Sequence, residues 1–354
     1  MTSSHQNRPS QKNRTWAEEG SALPVVAILL SEPMRGQILS PAALEQIAKA
    51  YQLRTVDTET LTRDVLPALL DGAVVCITGW GTPPFDHDLI RDHPSLQLIA
   101  HTAGSVRKLV PPEEIGQTIR VSHAAGVLAD AVAEFVISSA LSALWQLDQL
   151  DVAMRDGGDW FDLRSRYLGR LLGARTVGIV GAGYVGRRVI QLLKSFGSRI
   201  LVFDPVITAE QASALGVELT TMESLLASSD IVSLHAPVLP ETRGMIGARQ
   251  FAQLKDGAIF INSARSALID EAALIVELKR DRIKAVLDVF DTEPLPHDSA
   301  VRAMPNSQIT PHVAGHTHDT HRQQGQAMVD EIIRFLNGDE LQHEITACMV
   351  ETMA

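Results

Sequence analysis

Three polar side chains with complementary chemistry follow strand-like apolar segments in the second half of this 354-residue chain. Arg265 follows AIFINSA, Glu293 follows IKAVLDVF, and His312 follows QIT. The carboxyl ends of parallel strands meet at one edge of a sheet, so we expect these side chains to lie together. A guanidinium can pair with a substrate carboxylate, an imidazolium can protonate a developing alkoxide, and a carboxylate can orient the imidazole. Such a set suffices for hydride transfer to a 2-oxo acid and requires no metal.

Each of these residues alone has an ordinary structural explanation. Arg265 could cap a strand, and Glu293 could be a solvated turn residue beside Pro294. Their joint placement, after successive strands of one predicted sheet, is what favours a catalytic set over three unrelated surface residues.

A glycine-rich motif upstream of this set predicts a dinucleotide site. Thr176–Val180 has the length and β-branching of a buried parallel strand. After it, Gly181 permits a tight turn, Gly183 lets the backbone approach a pyrophosphate, and Gly186 lets a helix pack closely on its strand. Apolar residues then recur at helical spacing until Gly197, which should end the helix. The pyrophosphate is expected at the N-terminus of this helix.

The acidic residue after the next strand indicates which dinucleotide binds. Strand Arg199–Phe203 leads to Asp204. This residue lies about 20 positions after the last motif glycine, where a carboxylate accepts hydrogen bonds from the adenosine ribose. The same carboxylate would repel a 2′-phosphate. NAD is therefore the predicted cofactor, in preference to NADP.

The composition limits the partners and the compartment. A formal net charge of −11, with no block of Lys or Arg, argues against nucleic acid or an anionic membrane as partner. Cys76 and Cys348 have no metal-ligand spacing, and Cys76 ends the run AVVC, where a buried, inert thiol is expected. No apolar run is expected to span a membrane, and residues 1–22 lack the apolar core of a signal peptide. We therefore predict a cytoplasmic protein.

Short apolar strands alternate with helices along the chain and predict an α/β fold with two doubly wound domains. Residues 1–22 are expected to be a flexible extension. Residues 23–123 form a substrate-binding domain, to which residues 320–354 return. Residues 124–319 form the domain that carries the glycine motif.

In the first domain, strands are predicted at LPVVAILL, LRTV, AVVCIT and LQLIAH, with helices from Ser40-Pro41 and near Leu61–Leu70. The loops Thr78–Gly81 and Thr102–Ser105 follow two of these strands and are rich in small residues. Ligands of parallel sheets bind at such strand ends, so both are candidate substrate loops, although each could equally be a tight turn.

Asp130–Leu150 is predicted as a helix that is apolar around most of its circumference and must be covered on nearly every side. It could lie buried between the two domains or pack against a second subunit, and we favour a homodimer contact. The following segment, DGGDWFDLRSRYLGRLLG, is interpreted as a link.

Five segments, in order, resemble the successive signature segments of the D-isomer-specific 2-hydroxyacid dehydrogenase family: GIVGAGYVGRRV, LHAPVLPETRGMIG, FINSARSALIDEAAL, LDVFDTEPLP and TPHVAGHT. The resemblance covers about Leu23 to Gly338. It implies a Rossmann dinucleotide-binding domain and a flavodoxin-like substrate domain built from both chain ends. It also implies hydride transfer between NAD(H) and a small D-2-hydroxy acid or 2-oxo acid.

Residue by residue, the resemblance implies Arg265 as the arginine of the substrate carboxylate, His312 as the acid/base and Glu293 as its partner. Asp288 is implied to bind the nicotinamide carboxamide. The loop Ala103-Gly104-Ser105 is implied to offer backbone N–H groups to the substrate carboxylate. Beyond the motif glycines and Asp204, the residues implied to line the dinucleotide are Tyr184, Val185, His235, Ala236, Pro237, Ser263 and Ala264.

The chain departs from the common family pattern at two places. Arg107 stands where many members have Asp, and Gly79-Trp80 stands where phosphoglycerate-oxidising members are expected to carry Arg for the phosphate. Trp80 would make the substrate pocket blunter and more apolar. Both departures bear on the identity of the substrate, and neither bears on the type of reaction.

Three further histidines, His316, His318 and His321, follow His312. They invite a zinc site, but no cysteine or second motif supports one, so we expect exposed loop histidines and no metal. Two alternative functions remain open on the same fold. One is an NADH-sensing module that resembles the C-terminal-binding corepressors, and the other is a different Rossmann enzyme, such as a methyltransferase. The complete Arg, Glu and His set favours the dehydrogenase.

Overall fold

The computed structural model describes residues 23–351 and 353, so the expected N-terminal extension lies outside the described residues. The described chain divides into two compact units. The first comprises residues 23–124 and 321–351, and the second comprises residues 125–320 with Met353.

The first unit is built on a parallel sheet. Its elements are β1 (Val25–Leu29), α1 (Glu32–Ile38), α2 (Pro41–Ala48), β2 (Gln52–Arg54), α3 (Leu66–Leu70), β3 (Ala73–Thr78), α4 (His87–Asp92), β4 (Leu98–His101) and β5 (Arg120–His123). The five strands are ordered β2-β1-β3-β4-β5, which is the flavodoxin-like doubly wound order. All residues of β3 are buried, as expected of a central strand in a sheet that is covered on both faces.

The elements of the first unit agree with the sequence-based predictions in part. Ser40 caps α2 as predicted, because its hydroxyl accepts a hydrogen bond from the Ala43 N–H at 3.1 Å. The helix predicted near Leu61–Leu70 is shorter, since a 3₁₀ turn at Arg63–Val65 precedes α3. Strand β5 and helices α1 and α4 were not predicted, because each is short and carries little periodicity.

The second unit contains the glycine motif. Its elements are α5 (Ala125–Trp145), α6 (Leu147–Arg155), α7 (Trp160–Arg166), β6 (Thr176–Val180), α8 (Tyr184–Phe196), β7 (Arg199–Phe203), α9 (Ala209–Leu215), β8 (Glu218–Leu219), α10 (Met222–Ser228), β9 (Ile231–Leu234), α11 (Ala248–Gln253), β10 (Ile259–Asn262), α12 (Glu271–Lys279), β11 (Lys284–Leu287) and β12 (Ser307–Ile309). The seven parallel strands are ordered β12-β11-β10-β9-β6-β7-β8. This is the Rossmann order with one strand added, and the order reverses at β6, which leads into the motif.

The sheet of the second unit is buried on both faces. Along β10, Phe260 packs with the cluster that contains Phe251, whereas its neighbours Ile259 and Ile261 join the cluster that contains Val136. This alternation follows from the two-residue period of a strand. It leaves the strand ends as the place where polar side chains can emerge.

The long apolar helix differs from its prediction. α5 ends at Trp145, and Gln146, in the left-handed conformation at φ 54°, separates it from α6, so one helix over Asp130–Leu150 is wrong at both ends. The predicted link also contains a helix, α7, capped by Asp159. Contrary to expectation, α5 is long and apolar enough to span a membrane. Its buried side chains, however, belong to the core of the second unit, as in a core helix of a globular protein.

The chain returns to the first unit through α13 (His318–Asn337) and α14 (Ala347–Glu351). Gly338, at φ 78°, follows α13 as the predicted stop. Glu331 is buried on α13 and accepts hydrogen bonds from the Ser122 hydroxyl at 2.9 Å and from the His343 N–H at 3.0 Å. This carboxylate therefore fastens the C-terminal segment to β5.

Candidate active site

The structure brings Glu293 and His312 into direct contact. His312 Nδ1 lies 2.8 Å from Glu293 Oε2. The other carboxylate oxygen, Oε1, accepts the Phe290 N–H at 3.0 Å, which fixes the carboxylate plane. The two side chains remain 47% and 38% exposed, so the pair is open to a ligand. Because Nδ1 is held by the carboxylate, Nε2 is the ring nitrogen placed to exchange a proton.

Arg265 completes an electrostatically coupled set. Burial raises the pKa of the Glu293 carboxyl, but hydrogen bonds from His312 and the Phe290 N–H, with the charges of His312 and Arg265, outweigh it and lower the pKa overall. Burial lowers the pKa of Arg265, and the charge of Glu293 opposes that shift. Both groups stay charged at neutral pH, since arginine does not lose its proton in proteins.

The backbone at His312 has φ 54°, an uncommon value for a residue other than glycine. One buried carboxylate, Asp288, holds the segment around it. Its Oδ1 accepts the Thr310 hydroxyl at 2.6 Å and the Val313 N–H at 2.8 Å, and its Oδ2 accepts the Ala314 N–H at 2.9 Å. These bonds on both sides of His312 stabilise a conformation that is unfavourable in isolation. That Asp288 also binds the nicotinamide stays a prediction.

Asn262 performs the same task for Arg265. It is fully buried at the end of β10, where its Oδ1 accepts the Ala264 N–H at 3.1 Å and its Nδ2 donates to the Arg265 carbonyl at 2.9 Å. The nearby Ser263 hydroxyl has no hydrogen-bond partner in the described structure. Sequence reasoning missed Asn262 and Thr310, although a polar residue closing the apolar strand IFIN was an available signal.

The glycine motif has the clearances that a dinucleotide requires. Gly181 has φ 96°, and a Cβ there would lie 2.8 Å from the Ala236 nitrogen. A Cβ on Gly186 would lie 2.0 Å from the Gly181 carbonyl oxygen, so the helix can approach the loop only with glycine. Gly183 borders open space, and no side chain caps the helix that begins at Tyr184 and Val185. The first turn of α8 can thus receive a phosphate.

Two groups flank this loop. The Asp204 carboxylate accepts the N–H groups of Ala182 at 2.7 Å and Val206 at 2.8 Å. His235, which precedes Ala236 and Pro237 after β9, is half-buried, and its buried Nε2 has no partner among the described residues. Burial lowers the pKa of His235 to about 4, so the ring is neutral. These residues fit a dinucleotide, and NAD(H), when bound, supplies or accepts the hydride.

The residues predicted to bind the substrate lie in both units. Arg265 is in the second unit, whereas Trp80 and the loop Ala103-Gly104-Ser105 are in the first. Trp80 is 39% exposed, and its ring packs against His321 at 5.5 Å between centroids. The expectation of an exposed histidine is therefore wrong for His321, which Trp80 helps to bury. Among the described residues, no three His, Cys, Asp or Glu side chains are grouped to hold a metal ion.

The Rossmann unit with its interacting Arg, Glu and His is typical of a dinucleotide-dependent oxidoreductase. Comparison with known proteins gives the same class. The family model described as D-isomer specific 2-hydroxyacid dehydrogenase, NAD binding domain, matches residues 137–314. The chain is 33% identical over 262 residues to a glyoxylate reductase of Korarchaeum cryptofilum, covering 73% of this chain and 78% of that protein. The chain belongs to the D-isomer-specific 2-hydroxyacid dehydrogenase family.

Other relatives agree on the family. A D-3-phosphoglycerate dehydrogenase of Methanocaldococcus jannaschii is 31% identical over 318 residues; these cover 89% of this chain but 58% of that longer protein. A solved phosphoglycerate oxidoreductase from Rhizobium etli superposes with a TM-score of 0.76 at 26% identity, covering 90% of this chain and 97% of that one. The protein is thus an NAD-dependent oxidoreductase that transfers a hydride between the cofactor and a small 2-hydroxy or 2-oxo acid. These relatives are named as enzymes, which favours catalysis over NADH sensing.

We predict that Asp204→Ala narrows the preference for NADH over NADPH. The parent carboxylate repels a 2′-phosphate, so its kcat/KM should favour NADH by roughly tenfold or more. The measurement is kcat/KM for both cofactors with one 2-oxo acid. Glu218→Gln, which alters an exposed carboxylate on the neighbouring strand β8, should leave the ratio unchanged. Equal kcat/KM values for the two cofactors in the parent would contradict the role of Asp204.

Proposed function

We propose that the protein reduces a small, non-phosphorylated 2-oxo acid of the glyoxylate type. His312 is the acid/base, Glu293 its partner, and Arg265 the residue that pairs with the substrate carboxylate. The observation that carries this proposal is the 2.8 Å hydrogen bond between His312 Nδ1 and Glu293 Oε2, electrostatically coupled to Arg265.

Each residue has one task in the reduction. The Arg265 guanidinium holds the carboxylate and polarises the adjacent carbonyl, so that negative charge can develop on its oxygen. Protonated His312 gives the proton on Nε2 to that oxygen. Glu293 holds the ring through Nδ1 and favours its charged form. In the oxidation of the hydroxy acid, neutral His312 takes the proton back.

Trp80 supports a substrate without phosphate. A phosphate dianion requires an arginine or several N–H donors, and Gly79-Trp80 supplies an indole at the position where the family resemblance would place a cation. The indole is partly exposed, and its ring packs against that of His321. A flat apolar surface of this kind suits a small, uncharged substituent on the 2-oxo acid.

A second copy of the chain is the proposed partner. Within the second unit, α5 to α7 and the segment after them expose eight large apolar side chains. So many exposed apolar side chains within a short stretch of chain are typical of an interaction surface. These are Trp145, Leu147, Val152, Met154, Trp160, Phe161, Leu168 and Leu171. An apolar surface on identical chains is buried most simply in a two-fold dimer.

A reducing, cytoplasmic location is part of the same proposal. Cys76 and Cys348 are both free thiols, the first buried and the second exposed. Burial raises the pKa of the Cys76 thiol well above its ordinary value, so this cysteine is inert.

The pH dependence should follow His312. Reductive kcat/KM should fall as pH rises and His312 loses its proton, and oxidative kcat/KM should show the opposite limb. The lowered pKa of Glu293 keeps the carboxylate charged through the neutral range, so its contribution should be lost only as pH falls through that lowered value.

Glu293→Gln should move the reductive limb to lower pH, because the neutral amide no longer favours the imidazolium. His312→Ala should remove most activity but retain NADH binding. If the pH profile of Glu293→Gln superposes on that of the parent, Glu293 is not the partner of His312.

The substrate assignment is tested with a panel of 2-oxo acids followed by NADH absorbance. Glyoxylate and hydroxypyruvate should be reduced, and phosphohydroxypyruvate should be reduced at least tenfold less efficiently than hydroxypyruvate, because about two charge-assisted hydrogen bonds are missing. Equal efficiency for the phosphorylated and free acids would show the inference from Trp80 to be wrong. NADH binding without turnover on any 2-oxo acid would favour an NADH-sensing module.

The dimer should dissociate when charge is placed in the apolar surface. Trp160→Glu with Phe161→Glu buries two carboxylates at the proposed contact and should convert the dimer to a monomer in light scattering and sedimentation. Val276→Glu is the matched control, because Val276 is also exposed but lies on α12, outside this surface. A parent chain that is monomeric at micromolar concentration would contradict the proposed contact.

A further inference from the structure

Three consecutive backbone carbonyls, those of Thr102, Ala103 and Gly104, accept hydrogen bonds from within the first unit. The Thr102 carbonyl accepts Gln324 Nε2 at 2.6 Å, the Ala103 carbonyl accepts the Ala124 N–H at 3.1 Å, and the Gly104 carbonyl accepts His123 Nδ1 at 2.8 Å. Three successive carbonyls of the loop that follows β4, at the carboxyl edge of the sheet, are therefore engaged.

The N–H groups of the same segment behave differently. Those of Ala103, Gly104 and Ser105 have no hydrogen-bond acceptor in the part of the chain that the structure describes. In a trans peptide, the carbonyl and the following N–H point in opposite directions. Each carbonyl drawn inward therefore turns the next N–H outward. Outward N–H groups that lack an acceptor in the protein can donate to a bound anion.

The side chains that hold these carbonyls are themselves fixed. His123 and Gln324 are buried, at 3% and 0% exposure. A carbonyl can only accept, so His123 Nδ1 carries the proton that it shares with Gly104. Burial lowers the pKa of His123, and the hydrogen bond to Gly104 opposes that shift only in part. The ring is thus a neutral donor of fixed direction.

We propose that His123 and Gln324 are positioning residues for the substrate carboxylate. By holding the carbonyls of Gly104 and Thr102, they direct the N–H groups of Ser105 and Ala103 to the side from which an anion binds. This inference rests on the proposed function, in which the segment Ala103–Ser105 receives the carboxylate of the 2-oxo acid. Neither side chain needs to touch the substrate.

The test compares glyoxylate with methyl glyoxylate, which has the same reacting carbonyl but no negative charge. His123→Leu removes the donor and should lower the preference for the acid over the ester about fivefold, the worth of one hydrogen bond. The change should fall on KM for glyoxylate, with NADH binding unchanged. His123→Asn places an amide N–H close to the former Nδ1 and should restore the parent preference to within about twofold.

Two further variants separate positioning from general destabilisation. Gln324→Met removes the donor to Thr102 from another element, and it should lower the same preference even if His123→Leu does not fold. Ser122→Ala is the matched control, since Ser122 is a buried neighbour of His123 on β5 that donates to Glu331 and has no hydrogen bond to the loop. Ser122→Ala should lower the melting temperature and keep the preference for the acid over the ester at the level of the parent.

The outcomes are distinct from those of the proposed function. A parent that reduces no 2-oxo acid contradicts the function itself. A parent that reduces glyoxylate, together with folded His123→Leu or Gln324→Met variants that keep its preference for acid over ester, overturns the positioning role alone. Loss of the preference in Ser122→Ala to the same degree would also overturn it, because the effect would then reflect the stability of β5.

Discussion

The Asp288 carboxylate is the interaction on which the candidate site depends most. It is fully buried at the end of β11, and its two oxygens accept hydrogen bonds from three donors of residues 310–314. Burying a charge is costly unless hydrogen bonds replace the lost water, so this carboxylate specifies one conformation of the segment that donates to it. That conformation includes the unusual backbone of His312 and places its ring against Glu293. The geometry of the acid/base pair is thus set by a residue outside the pair.

A similar arrangement occurs at two other strand ends. Asn262 at the end of β10 holds the backbone beside Arg265, and His123 at the end of β5 holds the backbone at Gly104. In each case a buried polar side chain at the end of a strand binds main-chain groups of a loop at the same edge of the sheet. A parallel sheet covered on both faces leaves only its ends for polar groups, which is why these positions recur.

The charged groups of the candidate site and the buried histidines of the first unit differ in their protonation. Glu293 and Arg265 interact, and each moves the other toward its charged state against the effect of burial. His101 and His123, at the ends of β4 and β5, are buried, and burial lowers the pKa of His101 to about 3. The buried His123 ring serves as a neutral donor to the Gly104 carbonyl.

The sequence by itself determined the fold class and the dinucleotide motif, and it singled out Arg265, Glu293 and His312 as the candidate catalytic set. These rest on local rules, because strand periodicity, glycine conformations and the order of strand ends are properties of short segments. Tertiary structure alone decided that Asp288 anchors the His312 segment, that α5 breaks at Gln146, and that His321 is buried beneath Trp80. It also decided that His123 and Gln324, about 200 residues apart, converge on one loop. Long-range hydrogen bonds of this kind depend on which elements become neighbours, and no local pattern in the chain carries that information.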